Sequence, residues 1–304
     1  HVAFKNTVET DQETSTIQAL CKYIRKTGDK TILNEKVGDR TVAERVRAMI
    51  NYLLKEKFST EYGLIYGATT ADWGDVQPHS DDVVDINKDT FFAIDVYDNA
   101  MLIIALDNME EMGIDTKADI QLRKSIAKNV RKYLWDKKRQ KIRPHVYLGK
   151  SPIPEGFNEE EVYYHGGTAV AIEAGLLSKK EIATVNRAML RNVEVSGMPS
   201  IGLTIYPVYP KGFFHGGMAE PYVYQNGGDW TWFGGRMIQQ LIRNGYVKEA
   251  YDEVRPMIDR VIKHQAFYEW WGPGCKPSGS GEFKGSAGVL VKAIGMLREW
   301  SNNN

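Results

Sequence analysis

Two neighbouring stretches, "QETSTIQALCKYIRKTGD" (residues 12–29) and "TVAERVRAMINYLLKEK" (residues 41–57), decide the fold class. In the first, Ile17, Leu20, Cys21 and Ile24 recur at helical spacing, and Gly28 offers the left-handed stop that side chains with a Cβ resist. In the second, Val42, Val46, Met49, Ile50 and Leu53 share one side. Thr41 and Glu44 there have the spacing of a capping box, in which each side chain bonds the other's backbone N–H. Two amphipathic helices joined by a short break form a helical hairpin. Working outward, the same period predicts helices over 93–112, 117–135, 167–174, 179–195, 231–243, 247–264 and 286–300, about nine in all.

Strand signals are few. "LTIYPVYP" (residues 203–210) alternates, but Pro207 and Pro210 cannot donate to a ladder, so it reads as an extended loop. The chain is therefore expected to be all-α, made of helix pairs separated by long Gly-rich loops. No low-complexity linker divides it, and residues 1–304 read as one domain. The pairs share no fixed repeat length, which argues against a regular solenoid.

Composition removes several functions. Lys plus Arg equals Asp plus Glu at 39 each, so there is no basic excess to attract nucleic acid. The longest apolar run, "AMLIIAL" (residues 100–106), is far short of the roughly 20 residues a bilayer needs. Cys21 and Cys275 make no disulfide framework, and Cys21 reads as a small core residue. The six histidines form no HExxH, and the glycines of "GPGCKPSGSGEFKG" fit neither nucleotide-loop pattern. No metal and no organic cofactor are expected.

The unusual content is aromatic. Trp73, Trp230, Trp232, Trp270 and Trp271 all fall in Gly-rich connections, where binding residues concentrate. They travel with acids and amides: "YGATTADWGDVQPHSDD" carries Asp72, Trp73 and Asp75, and "YYHGG" carries His165. "AEPYVYQNGGDWTWF" carries Glu220, Gln225, Asn226, Asp229, Trp230 and Trp232, and "EWWGPGCKPSGSGEF" carries Trp271 and Glu282. A sugar ring presents C–H faces that stack on indole and hydroxyls that need acceptors and donors, so carbohydrate explains this mixture. Cleaving a glycosidic bond adds two carboxyl groups, one kept protonated by burial against an aromatic wall. Asp72 beside Trp73 suits the acid, and Glu220 could be its partner. Each residue alone has a plainer reading: a Trp plug under a loop, Asx turns at Asp72 or Asp75, a solvated Glu220, an Asn-Gly turn.

At these residues the chain resembles the six-hairpin (α/α)6 glycosidases. "YIRKTGDKTIL" (residues 23–33) resembles a helix exit of glycogen-debranching-type and sugar phosphorylase domains. "ADWGD" (residues 71–75) resembles the loop carrying the general acid in cellobiose-phosphorylase-like enzymes, and "EPYVYQNGGDW" (residues 220–230) resembles a loop of those enzymes and of neutral invertases. The resemblance implies an (α/α)6 toroid of twelve helices, here lacking the first N-terminal ones. It implies an inverting glycosidase acting on an α-glucoside or related oligosaccharide, with Asp72 as general acid, Asp75 its rival on the same loop, and Glu220 as base. Asp11, Trp73, His165, Gln225, Asn226, Asp229, Trp230, Trp232 and Trp271 would hold the sugar. Gly74 stands where the phosphorylase loop has Asn, and the phosphate-binding residues have no match, which favours hydrolysis over the alternatives of phosphorolysis or sugar binding without turnover.

Overall fold

The structure, a computed structural model, describes residues 7–81 and 83–304. Among them run nine α-helices: α1 (Gln12–Thr27), α2 (Val42–Glu56), α3 (Val96–Met112), α4 (Lys117–Tyr133), α5 (His165–Glu173), α6 (Lys179–Ser196), α7 (Thr231–Arg243), α8 (Val247–His264) and α9 (Lys284–Asn303). The predicted positions hold to within a few residues at each end. Gly28 closes α1 at φ 76°, and Thr41 and Glu44 form the expected reciprocal cap on α2.

Odd and even helices have different jobs. α1, α3, α5, α7 and α9 pack each against the next, and α2, α4, α6 and α8 lie outside them, each on the helix before it. The chain therefore winds as helical hairpins around a ring of inner helices, an α/α toroid. The inner helix α3 is buried on nearly all sides, from Val96 through Leu106, whereas α4 buries only Asp119, Ile126 and Val130. That is why "AMLIIAL" has no polar face and the outer helices have a stripe.

Many helix starts follow the same split, although inner α3 is capped by its own Asp95 and outer α8 has no side-chain cap. The outer helices α2, α4 and α6 open on capping boxes built from their own residues: Thr41/Glu44, Thr116/Asp119 and Ser178/Glu181. The inner helices α5, α7 and α9 open without a side-chain cap from their own N-cap residue. Their first N–H groups are left for other parts of the chain to satisfy.

The loops are stapled by short antiparallel pairs. Phe92–Ile94 pairs with Gly67–Ala68 on one side and Val146–Tyr147 on the other, and Trp270–Gly272 pairs with Lys276–Ser278. Tyr163–Tyr164 pairs with Ile205–Tyr206, so part of "LTIYPVYP" is a strand after all. The pairing stops at Pro207, which has no N–H to give. A second apolar cluster lies under these loops, with Val76, Tyr164, Tyr209, Phe213, Phe214 and Met218. None of the helices in the described residues is long and apolar enough to cross a membrane.

Candidate active site

The loop carrying Asp72, Trp73 and Asp75 is held from below. Asp72 is fully buried at φ 57°, and both its carboxyl oxygens accept the N–H of Gly167 at the start of α5, at 2.9 and 2.8 Å. It caps a helix almost a hundred residues away in sequence. "HGG" is the matching half of that contact. A Cβ on Gly166 would lie 2.7 Å from Asp72 Oδ2, and one on Gly167 2.6 Å from Asp72 Oδ1. Burial is the main reason the Asp72 carboxyl is pushed up to about 7; the Gly167 and Gly166 N–H groups oppose it.

Around Asp72 lies a small acidic pocket. Its walls include Glu9, Thr10 and Asp11 from the segment leading into α1, Thr70, Asp72 and Trp73 from the loop, and Asp95, Tyr97 and Asp98 from the start of α3. The free space is about 10 Å³, the room of one water molecule. Asp95 caps α3 through the Asp98 N–H at 2.8 Å. Burial raises Asp95 to about 7, with the charge of Asp72 adding to it, and raises Asp98 well above a usual carboxylate, with the charge of Asp95 adding there. Asp11 accepts from the Tyr97 hydroxyl at 2.7 Å, and burial raises it as well.

Above this floor the aromatic residues converge. The rings of Trp73 and Trp230 meet edge to face at 5.5 Å, Trp73 also touches Phe233 at 3.9 Å, and Trp230 meets Tyr224 at 5.0 Å and Phe283 at 6.0 Å. Loops that open α7 and α9 and the loop before Val76 therefore share one place. Asp75 sits at its rim, half-buried. Its Oδ2 lies 3.3 Å from the Tyr224 hydroxyl, its own N–H donates to Gln225 Oε1 at 3.3 Å, and its Oδ1 is buried without a partner among the described residues. Burial raises the Asp75 carboxyl, with the negative charge of Glu9 adding to it.

Burial raises the Tyr224 phenol, and the negative charges of Asp75 and then Glu269 add to it. Its hydroxyl meets Asp75, and Trp270 lies 6.3 Å from its ring. Glu269 precedes the Trp270–Gly272 strand, and its Oε2 accepts the Ser280 N–H at 3.2 Å across the hairpin. Sequence reasoning missed Glu269, Tyr224, Glu9, Asp95 and Asp98. The signal for Glu269 was its place directly before Trp270 and Trp271; Asp95 and Asp98 are hidden in an ordinary Asp-x-x-Asp cap spacing.

Other expected residues lie elsewhere or have other duties. Glu220 is a surface residue, its side chain 54% exposed and paired with Lys211 at 2.6 Å. Asp229 is fully buried and bonds Arg260 at 2.8 Å and the Ser200 hydroxyl at 2.7 Å, while its backbone pairs both ways with Trp271. Trp271 lies under the Arg260 guanidinium at 4.8 Å. Asn226 spends its amide on the backbone N–H and C=O of Tyr209. His165 is buried, takes the Asn192 amide at 3.0 Å, and burial pushes it down to about 3. Trp230 gives its indole N–H to the Tyr224 carbonyl at 3.1 Å. Trp232 faces Arg236, which is tied to Glu173 at 2.8 Å. Asp229, Asn226 and Trp271 have their polar atoms or ring engaged inside the protein, whereas His165 keeps Nδ1 buried without a partner among the described residues. Asp11, Trp73, Asp75 and Gln225 do come together.

No family model matches the chain, and no curated protein matches it in sequence. Its structure is similar to a GH63 mannosylglycerate hydrolase from Thermus thermophilus, solved with Tris and D-glycerate. The identity is 12%, the TM-score 0.66, and the match covers 98% of this chain and 79% of that one. It is similar also to a GH78 family rhamnosidase of Bacillus sp. GL1, at 15% identity, TM-score 0.59, 91% of this chain and 25% of that one. A rhamnosidase from Klebsiella oxytoca with rhamnose bound matches at 13% identity, TM-score 0.59, 96% of this chain and 48% of that one. The likeness is one of architecture: the chain has the α/α-toroid fold of these hydrolases.

Proposed function

We propose that the chain is a glycoside hydrolase in which Asp75 is the general acid and Glu269 the general base. One observation carries the reading: Asp75, with a buried Oδ1 that has no partner among the described residues, meets the Tyr224 hydroxyl beside the rings of Trp73, Trp230 and Trp270, and the charge of Glu269 acts on the same hydroxyl. Two carboxyls beside aromatic plates are what glycosidic cleavage requires. Asp75 would protonate the glycosidic oxygen as the C–O bond breaks. Glu269 would take a proton from the water that attacks the anomeric carbon. The raised Asp75 carboxyl suits a group that must still hold its proton near neutrality.

Asp72 keeps a supporting part. Its oxygens are committed to Gly167, and the pocket around it has space for a water but not a sugar, so it fixes the loop on which Trp73 and Asp75 ride. Glu220, exposed and paired with Lys211, yields the base role to Glu269. Gln225, which holds the Asp75 backbone, and Asp11 and Trp73 remain the proposed sugar-contacting or positioning residues. The fold neighbours named above are a mannosylglycerate hydrolase and two rhamnosidases, which supports a carbohydrate substrate; an α-glucoside or related oligosaccharide is the class we propose.

An inverting pair stands roughly 6.5–9.5 Å apart and a retaining pair about 5–5.5 Å. The test is a screen of nitrophenyl glycosides and disaccharides with the product anomer followed by NMR. Inverted product released without added phosphate is the expected result. Retained configuration overturns the mechanism, and turnover only with phosphate replaces hydrolysis by phosphorolysis.

A further inference from the structure

The Glu159 carboxyl has no part in the proposed chemistry, yet it gathers donors from distant parts of the chain. Its Oε1 accepts from His145 Nδ1 at 2.9 Å and from the Tyr209 hydroxyl at 2.7 Å, and the Tyr147 hydroxyl stands 2.8 and 2.9 Å from its two oxygens. Burial works to raise this carboxyl, but the charge of His145 and these donors outweigh it and hold it below its usual range. Tyr209 itself is fully buried, its ring stacked on Phe213 at 4.8 Å. Ring and hydroxyl are both fixed.

From Tyr209 the bonds run to both ends of the loop that carries Trp73 and Asp75. The Tyr209 and Tyr164 hydroxyls meet at 2.8 Å, and Tyr164 donates to the Thr70 carbonyl at 3.0 Å. Thr70 in turn donates its hydroxyl to the Asp72 carbonyl at 2.9 Å. At the other end, the Asn226 amide holds the Tyr209 backbone N–H and C=O at 2.9 and 3.1 Å, and the neighbouring Gln225 accepts the Asp75 N–H at 3.3 Å. Thr70 and Asp75 are thus tied to one buried tyrosine, the first through its hydroxyl and the second through its backbone.

We propose that Tyr209 is a positioning residue for the general acid: held by Glu159, it fixes both ends of the loop on which Asp75 stands. The proposal rests on the hydrolase reading above. Asp75 protonates a leaving oxygen only where its carboxyl meets that oxygen, and a misplacement of about 1 Å can cost about 10²-fold in rate. Cutting the tie at Thr70 leaves the one at Gln225 and frees the loop to pivot about it.

The test is Tyr209→Phe, Tyr164→Phe and the two together. Each change removes one oxygen and keeps the ring, and each breaks the same chain at a different link. Each should lose about tenfold in kcat, and the double variant should also lose about tenfold, because a chain already broken is not broken again. A loss of about 100-fold in the double variant, the product of independent effects, overturns the proposal. So does unchanged kcat in either single variant.

A readout that needs no turnover separates this proposal from the hydrolase reading. Nitrogen relaxation should give the Gly74 and Asp75 amides the rigid order parameters of about 0.85 in the wild-type chain and values falling toward about 0.6 in both variants, with α4 unchanged. Wild-type values already below about 0.6 overturn the proposal even if neither variant folds, and an equal fall along α4 overturns it as well. Failure to hydrolyse any glycoside would sink the hydrolase reading, while these values still decide whether Tyr209 holds the loop.

Discussion

Asp72 and Asp75 are three residues apart on one loop and meet opposite surroundings. Asp72 faces inward, fully buried, with both oxygens committed to a helix start. Asp75 faces the aromatic rim, with one oxygen against Tyr224 and the other bare. Burial raises both carboxyls, so a raised carboxyl does not distinguish a reacting acid from a structural one. The difference is what remains unsatisfied. A carboxyl whose bonds are all made within the protein has nothing left for a substrate, while a buried bare oxygen beside a second carboxyl has.

The sharpest way to break this contrast is turnover. Asp75→Asn and Glu269→Gln should each lose about 10²–10⁴-fold in kcat, because an amide keeps the shape but moves no proton. Glu220→Gln should stay within severalfold, and Asp72→Asn should lose stability rather than chemistry, keeping activity within about tenfold at a temperature where it is folded. A dead but fully folded Asp72→Asn beside an active Asp75→Asn would reverse the two assignments.

Next in size is the buried Asp229–Arg260 pair, the structural counterpart of the Asp75–Glu269 pair. Arg260 already has Nε and Nη1 without partners among the described residues, so its charge depends on Asp229 and Thr231. Asp229→Asn leaves that charge uncompensated and should cost roughly 3–5 kcal/mol in denaturant unfolding. Loss of activity without loss of stability would return Asp229 to the sugar site.

The acids of the floor make a pH prediction. Asp72 and Asp95 are both pushed up to about 7 in the folded chain, and Asp98 is raised in the same direction, chiefly by burial. Their protons favour folding. This contribution is complete below about pH 4 and lost as pH rises through about 7. His165, pushed down to about 3, acts the other way, giving stability above its usual value that is lost as pH falls. The carboxyls outnumber the imidazole, so Tm should fall by several degrees from pH 5.5 to pH 8. Asp72→Asn should flatten part of that slope. A Tm that rises over this interval would show that these acids are ionised in the folded chain.

The smallest effects compare two glycines. Gly167→Ala puts a methyl 2.6 Å from Asp72 Oδ1 and 2.7 Å from Val96 Cγ1, and should cost about 1–3 kcal/mol by overpacking. Gly288→Ala on α9 meets nothing within 4 Å and should stabilise by up to about 1 kcal/mol through helix propensity. Thermal melts of the two variants should move in opposite directions.

The helices were legible because they are set by local rules. A stripe at 3.6-residue spacing, Gly28 and the Thr41/Glu44 box each act within a few residues of themselves. The meeting of Trp73 with Trp230 was legible too, since loops of successive hairpins in a ring emerge at the same end. The surroundings of the two loop glutamates were not. Glu220 and Glu269 both sit in aromatic, Gly-rich loops, and what separates them is tertiary: Lys211 pairs with one at the surface, while the hairpin of Trp270–Gly272 with Lys276–Ser278 holds the other through the Ser280 N–H. The roles of Asp229 and Asn226 were hidden for the same reason, because Arg260 and the Tyr209 backbone are distant in sequence.

The contact between Asp72 and Gly167 also makes one backbone hydrogen a timekeeper for the site. α5 has only nine residues, too few to persist alone in water, and its opening N–H bonds to a loop rather than to its own turn. The Gly167 amide can exchange with solvent only when the loop bearing Trp73 and Asp75 lifts away. Its exchange rate therefore counts how often that loop is released, separately from the unfolding of the ring beneath it.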